Sequence, residues 1–397
     1  MKILVSNVGS TSLKFKLYAM PQEELLCSAK IERVGSQTEA IYHYECPSRE
    51  VSCKQSGLCI PGYSEGISLF LQSLCDSQQG AVSNISEIGV VGFKTVLSKG
   101  YPGVHELNEA VLAGMREYLF MAPAHNAPYL EAISCFTSLL PKAVLIGAFE
   151  TAFHTTIPLE RRLYALPYEW YERYGIMRLG YHGASHAYIA STVERRYGKR
   201  QRSICCHLGG SSSLCAIEDG KSVDTSFGFS LQTGIPHANR CGDTDPYIIP
   251  YLRNEGMPED EILNGMAKTG GLLGISGISN DLRSIEQAAQ EGNQRAKLSI
   301  NVFVNAIVKY IGAFYAELGG LDNLIFTGGI GENSHTLRSR VCNALTHMGV
   351  RVDEELNQST GNGIRNIGSV NAPVRILVIP ANEEIGIARL CYSKLGA

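Results

Sequence analysis

Residues 2–20 read KILVSNVGSTSLKFKLYAM. The apolar run Ile3-Leu4-Val5 gives way to small polar residues at 7–12, after which Leu13, Phe15 and Leu17 alternate with Lys14 and Lys16. A period of two places alternate side chains on opposite faces, so the stretch predicts strand, small-residue loop, strand: a hairpin. Residues 203–225 repeat the pattern. Ile204-Cys205-Cys206 leads into His207-Leu208-Gly209-Gly210-Ser211-Ser212-Ser213, then Leu214-Cys215-Ala216-Ile217, a turn at Asp219-Gly220 and a further short strand. Such hairpins are common, but two of them, one at the start and one beyond residue 200, are what a duplicated domain leaves behind.

The chain has 397 residues, more than one hydrophobic core usually supports, so two α/β domains of roughly 150–200 residues are expected, with a cleft between them for a ligand. A hydrophobic fraction of 44% and a charged fraction of 18% suit a globular protein. The net charge of −3 offers no basic field for a nucleic-acid backbone or an anionic membrane, so neither partner is expected. The twelve cysteines form no C-x-x-C pair and no zinc spacing, and Cys205, Cys206 and Cys215 fall in apparent core strands, which predicts reduced thiols. The apolar run at the N-terminus is too short for a signal peptide. The segment from Val302 to Leu318, a helix candidate, carries Asn305, Lys309 and Glu317, so it is not expected to span a bilayer, and a cytoplasmic protein is expected.

Elsewhere helices alternate with strands. Phe303, Ile307 and Ile311 form one stripe of a helix that should end at Gly319-Gly320. Strand Leu324-Ile325-Phe326 then enters the glycine-rich loop 327–334, with a helix expected from about His335. Residues 36–60, with little periodicity, predict irregular edge or loop structure. The loops at 7–12, 207–213 and 327–334 each follow a strand. Any one of them alone is better read as a plain turn; three together point to a phosphate ligand cradled by backbone N–H groups. Neither a G-x-x-x-x-G-K-[ST] loop nor a dinucleotide fingerprint is present.

Several polar residues sit in apolar or glycine-rich surroundings: Glu150 after the strand 143–149, His182 and His186 in YHGASH, and Arg240 in NRCGD. Phosphoryl transfer requires mainly positioning and charge neutralisation, by a carboxylate that can hold a metal and by cationic or N–H donors. A structural role suits His154 and His186, and loop capping suits Asp243 and Asp245. Glu150 would be costly to bury without a cation. Glu150, His182 and Arg240 are therefore the candidate catalytic residues.

At these residues the chain resembles the acetate kinase family, within the superfamily that also holds sugar kinases, Hsp70 chaperones and actin. The likeness runs through Asn7–Lys14, Met121–Asn126, the Glu150 segment, Tyr164–Tyr171, Tyr181–His186, Gly220–Ser226, Gly274–Ser279, Gly328–Asn333 and Ile379–Glu384. It implies two duplicated ribonuclease-H-like α/β domains, each with a mixed five-stranded sheet flanked by helices, and a nucleotide cleft between them. The domains would be residues 1–150 and 151–384, the first regaining a C-terminal helix near 385–397. It also implies a homodimer formed through the C-terminal half.

The resemblance implies roles as well. Asn7 and Glu383 would hold Mg²⁺ (or Mn²⁺), and Lys14 would lie near the nucleotide phosphates. His207, Leu208, Gly209, Gly210 and Ser211 would form the phosphate loop. Asp281, Leu282 and Arg283 would flank the adenosine, and Gly328, Gly329, Ile330, Gly331 and Glu332 would complete the pocket for ATP or ADP. Glu150 matches the active-site aspartate, and His182 with Arg240 the pair that stabilises the transition state. The implied reaction is ATP plus acetate giving ADP plus acetyl phosphate, by direct in-line transfer.

The departures gather on the acid side. The family segment His-Arg-Val-Val-His-Gly-Gly is here Phe93-Lys94-Thr95-Val96-Leu97-Ser98-Lys99. Lys94 keeps a charge but not the planar fork that orients a carboxylate. With Val96 and Tyr181, which stands for a phenylalanine, it is the expected acid-binding group. Glu150 is one methylene longer than aspartate, a displacement of about 1 Å that can cost on the order of 100-fold in rate. Leu231 stands for a proline, Ala124 for a leucine and Gly210 for an asparagine. A more polar acid site built from Lys94, Thr95 and Tyr181 would suit propionate, a hydroxy acid or another acceptor, and a nucleotide-binding pseudoenzyme is the alternative from another class.

Overall fold

The computed structural model describes residues 1–361 and 363–396, with backbone alone at 123 and 124. The expected contact of Ala124 lies outside the described side chains. Two compact units emerge, one of Met1–Ala152 with Asn382–Ala397, the other of Phe153–Ala381. The chain returns to the first unit at Asn382, slightly before the expected 385, so Glu383 belongs with the first unit.

The first unit is built on strands β1 (Lys2–Gly9), β2 (Ser12–Ala19), β3 (Glu24–Glu32), β4 (Ser36–Cys46), β5 (Val51–Ile60), β6 (Ile88–Thr95), β7 (Val104–Glu106) and β8 (Val144–Phe149), in the order β5-β4-β3-β2-β1-β6-β8-β7. The opening hairpin pairs Gly9 with Ser12, so the expected loop at 7–12 shrinks to a turn and Asn7 lies within β1, opposite Lys14. Strand β1 pairs antiparallel with β2 and parallel with β6, and β6 runs parallel to β8. The second unit holds β9 (Arg202–His207), β10 (Ser213–Glu218), β11 (Lys221–Thr225), β12 (Asn323–Thr327), β13 (Arg365–Asn366) and β14 (Arg375–Val378), ordered β11-β10-β9-β12-β14-β13.

Both sheets contain the same five strands in the same sense. β3-β2-β1-β6-β8 and β11-β10-β9-β12-β14 each run antiparallel, antiparallel, parallel, parallel from one end to the other. The expectation of five strands per sheet is therefore corrected to eight and six, with five in a shared core. The added strands include residues 36–60, expected to be irregular and in fact a long hairpin. Ala40, Tyr42, Tyr44 and Cys46 alternate into the core, whereas β5 is a mostly exposed edge carrying Lys54, Gln55 and Ser56, which hides its periodicity.

The helix Gln294–Leu318 starts earlier than the apolar stripe indicates, because Asn293 caps it by accepting from the Ala296 N–H, and it stops at Gly319 in the left-handed region, φ 64°. It is long and apolar enough to cross a membrane by length and composition, but Phe303, Ile307, Ile311, Phe314 and Leu318 are buried in the second unit's core. Residues 328–333, expected to be a loop, form a short helix after β12. All twelve cysteines are unpaired.

The helix Glu383–Lys394 packs on the first sheet at Gly92 of β6. A Cβ there would come 2.6 Å from Cys391 Sγ and 3.1 Å from the Ile387 side chain. Gly92→Leu should therefore destabilise the first unit by about 1–3 kcal/mol through overpacking, read as a lower urea midpoint with an unchanged m-value; an unchanged midpoint would refute this packing.

Candidate functional site

Parallel strands carry their carboxyl ends to one edge of a sheet, and the loops leaving that edge are where ligands bind in open α/β folds. In the first unit that edge presents Asn7 near the end of β1, Lys94 to Val96 at the end of β6, and Glu150 just after β8. The Glu150 N–H donates to the Thr95 carbonyl at 2.9 Å, which fixes the two strand ends together. Glu383, the first residue of the C-terminal helix, completes the group: Lys94 Nζ lies 2.5 Å from Glu383 Oε2 and 3.4 Å from Glu150 Oε1. These side chains are 20%, 14% and 6% exposed respectively, so three charges share a mostly dry site. Burial acts to lower the lysine's pKa, but Glu150 and Glu383 together outweigh it and raise the pKa well above its usual range. The expected acid-binding lysine thus has its ammonium engaged by two carboxylates.

Tyr129 ties the opposite side of this edge. Its hydroxyl donates to Asn7 Oδ1 at 3.4 Å and accepts from the Val8 N–H at 3.1 Å. Two carboxylates and an amide oxygen suit Mg²⁺, which prefers oxygen donors and binds through one or two carboxylates while substrate phosphates and water complete its shell. Among the described residues no cluster of three or more His, Cys, Asp or Glu side chains forms a metal site. Asn382 Oδ1, next to Glu383, is buried without a hydrogen-bond partner among the described residues, so an oxygen donor remains available there. The donor set fits the ion. Lys14 is exposed on β2, and Val96 is buried at the strand end.

In the second unit the equivalent edge bears the loop after β9 and the helix after β12. The Ile330 and Gly331 N–H groups donate to the Leu208 carbonyl at 2.8 and 3.2 Å. Gly328 makes this approach possible: its φ is 78°, and a Cβ would lie 2.7 Å from that same carbonyl oxygen. Glu332 Oε1 accepts from the Gly328 and Ala381 N–H groups, closing the turn on itself. A cavity of about 390 Å³ is lined by Gly209, Gly210, Asp281, Leu282, Arg283, Gly329 and Ile330, uniting the three segments expected to hold a nucleotide. Asp281 caps the helix Leu282–Gln290 and is paired with Arg283. Glu286, Asn333 and Ser334 also line the cavity and were missed. Glu286 lies one helical turn beyond Leu282, a spacing that places both on one face.

His182 takes the left-handed conformation, φ 59°, immediately before the helix Gly183–Tyr197. Its Nδ1 is 2.9 Å from Ser213 Oγ, a hydroxyl that also lies 2.9 Å from His186 Nε2, and its ring lies 4.2 Å from that of His207. Arg240 donates to Ser211 Oγ at 2.5 Å, and burial lowers its pKa to about 10, leaving it charged at neutral pH. Phe227 is the common support. Tyr181 and His182 meet its ring edge-on, and His237 stacks on it. Tyr181 is buried with its hydroxyl donating to the Phe229 carbonyl at 2.8 Å, so its proton is not available to polarise an acid pocket, contrary to the more polar site expected from it. Ser213 closes the loop 207–213 without a role of its own in the sequence, and Phe227 carries no motif; their support of His182 emerges only from the packing. Asp243 accepts from the Gly234 N–H and Asp245 from the Tyr247 N–H, as loop caps.

The chain matches the Acetokinase family over residues 2–389. An acetate kinase of Treponema denticola is 41% identical over 399 residues, covering 98% of this chain and 98% of the relative. An acetate kinase of Shouchella clausii is 40% identical with 98% of each covered. Among solved structures, Porphyromonas gingivalis acetate kinase superposes with a TM-score of 0.87 at 33% identity, covering 99% of each chain. A propionate kinase from Francisella tularensis gives 0.87 at 30% identity, covering 98% of each.

Three buried histidines support this edge in the neutral form. His154 Nδ1 and Nε2 contact Ser222 Oγ and the Tyr181 carbonyl, and His237 Nδ1 accepts from the Ser212 N–H. Burial, the largest cause in each, lowers His154 to about 4, His237 to about 3, and His186 well below its ordinary value. A lowered folded-state pKa means that the unfolded chain takes up protons first as pH falls. Stability should be complete above the ordinary value of 6.5 and decline as pH drops through 6 toward 4, by about 1.4 kcal/mol per pH unit per histidine. His154→Gln should reduce the slope of unfolding free energy against pH by about 1.4 kcal/mol per pH unit across that range; an unchanged slope would contradict the neutral assignment.

Proposed function

The chain belongs to the acetokinase family, and from that premise we propose that it transfers the γ-phosphoryl group of ATP to the carboxylate of a short acid, acetate first, giving an acyl phosphate and ADP. The observation that carries this reading is the 390 Å³ cavity on which the 207–211, 281–283 and 328–332 segments converge, each by at least two residues. Its volume and glycine-rich wall support a nucleoside with its phosphates turned toward the backbone N–H groups.

In the proposed chemistry a carboxylate oxygen attacks the γ-phosphorus, the bond from that phosphorus to the β,γ-bridging oxygen breaks, and its electron pair leaves with ADP. No proton changes hands in the transfer. His182, oriented through Ser213, and Arg240, held on Ser211, supply donors to the oxygens of the migrating group. The loop 207–211, with Leu208 locked against 328–331, and Lys14 serve the remaining phosphates. Asn7 and Glu383 would hold Mg²⁺ or Mn²⁺, which neutralises phosphate charge when bound. Glu150 replaces the family's aspartate. Lys94 orients the acid, with Val96 and the ring of Tyr181 as the apolar side of its site. The exposed Tyr168, Trp170, Tyr174, Tyr247 and Tyr251 of the second unit support a homodimer formed through that half, and a cytoplasmic location fits this chemistry.

The engaged state of Lys94 favours a second reading, the same transfer to another short acid. An ammonium has three donors, and the two carboxylates around it compete with any substrate carboxylate. Steady-state rates with ATP, Mg²⁺ and a panel of acetate, propionate and hydroxy acids test both readings, and ATP binding with no acyl phosphate from any acid would overturn them. Within that panel, Lys94→Arg should lower the KM of the preferred acid, because five fixed donors can hold a substrate carboxylate while keeping Glu383; an unchanged KM means that the acid binds elsewhere.

Arg240→Ala should reduce kcat by about 100-fold or more while leaving ADP affinity close to wild type, since its role lies in the charge developed during transfer. Loss of ADP binding in calorimetry would contradict that role.

A further inference from the structure

The helix 328–333 has a second cavity on it, separate from the nucleotide candidate. This space, about 330 Å³, is lined by Glu332, Asn333, His335, Arg338, Asn357 and Arg365 among others. Arg338 is only 1% exposed, yet among the described residues it has no carboxylate partner. Its guanidinium donates instead to the carbonyls of Gly331, Glu332 and Asn357 and to Asn357 Oδ1, at 2.7–2.9 Å. Those bonds explain Arg338 structurally, as a cap on the carbonyl end of the short helix.

They do not explain Arg365. It approaches the same Glu332 carbonyl, at 3.4 Å through Nη2, and its Nη1 donates to the Ser359 carbonyl, but its Nε is buried with no partner among the described residues. Two guanidiniums thus converge on one helix end, which offers only about half a negative charge. They repel each other, which together with the larger effect of burial lowers the Arg338 pKa. Glu332, the acidic group on the lining, has an oxygen accepting from the Gly328 and Ala381 N–H groups and pairs with neither arginine. A buried positive charge of this kind is costly unless an anion offsets it.

We propose that this cavity is a second, non-catalytic site for a small multivalent oxyanion, a phosphate or a short di- or tricarboxylate, whose charge completes Arg338 and Arg365. The space exceeds what such an anion needs, and a guanidinium is suited to either chemistry. Occupancy would be felt at the neighbouring cavity. Both arginines hold the Glu332 carbonyl, and Asn333 lines both spaces, so the short helix is a wall common to the two. The anion site stands on its own residues; only its effect on nucleotide rests on the function proposed above.

The test uses the full chain. Calorimetry with ADP is run first, to show whether nucleotide binds. The ADP-saturated protein, whose phosphate loop is then occupied, is titrated with inorganic phosphate and, separately, with malonate and citrate. One saturable site is expected for at least one probe, and the probe that binds tells phosphate from carboxylate chemistry. Arg365→Gln should weaken it by about tenfold or more, Arg365→Lys should retain most of it, and the bound anion should change ADP affinity by about threefold. Gln358→Glu, an exposed change on the same lining, should weaken it without altering either arginine, which keeps the test valid if Arg365→Gln does not fold. No saturable binding by any probe, or binding in both Arg365→Gln and Gln358→Glu as tight as in the wild type, overturns the proposal. Failure of ADP itself to bind would overturn the nucleotide reading alone; the comparison of wild type with Arg365→Gln would still decide the anion site.

Discussion

Strands β1 and β9 each pair antiparallel on one side and parallel on the other, and the remaining organisation of each unit depends on that pairing. An antiparallel neighbour can be reached by a short turn, so β2 and β10 follow directly in the chain. A parallel neighbour requires a crossover, so β6 and β12 come much later, after intervening helices. The result in each sheet is three strands whose carboxyl ends share an edge. Asn7, Lys94 and Glu150 fall on that edge in the first unit; His207 and Gly328 fall on it in the second. Chemistry collects there because residues far apart in the chain leave the sheet in the same direction.

Charge is then managed differently in the two units. In the first, two carboxylates surround one lysine, a set with an excess of negative charge that suits an arriving cation. In the second, the half-buried Arg240 and the buried Arg338 have no acid partner among the described residues and are held by a serine hydroxyl, an amide and carbonyl oxygens. Dipoles of this sort orient a guanidinium without neutralising it, so the charge remains available to an anion. One unit thus presents oxygen donors and the other positive charge, a division that accords with the phosphoryl transfer proposed above.

Much of this could be read from the chain because the signals were local. The alternation at 13–17 specified β2, the glycine at 319 marked the end of a long helix, and the recurrence of the hairpin at 203–217 anticipated the second sheet. Where the reading failed, the cause was also physical. The edge strand β5 buries almost nothing, so it lacks a hydrophobic period; residues 328–333, taken as loop, turn into a helix where the Leu208 carbonyl accepts the Ile330 and Gly331 N–H groups and Glu332 accepts from the Gly328 N–H. Tyr181 was a polar substitution in sequence but is inward-facing in the fold, its hydroxyl donating to the Phe229 carbonyl.

The sequence by itself determined the class of the fold, its duplication and the segments that carry chemistry, because strand periodicity, turn residues and motif spacing depend on neighbours in the chain. Only the tertiary structure decided that Lys94 is held between Glu150 and Glu383, that Phe227 and Ser213 support His182, and that Arg365 joins Arg338 at one helix end. Those pairings join residues up to 289 positions apart. Their energies depend on burial and distance, which no local pattern encodes, and so the opening hairpin announced an edge for chemistry without revealing which charges would meet there.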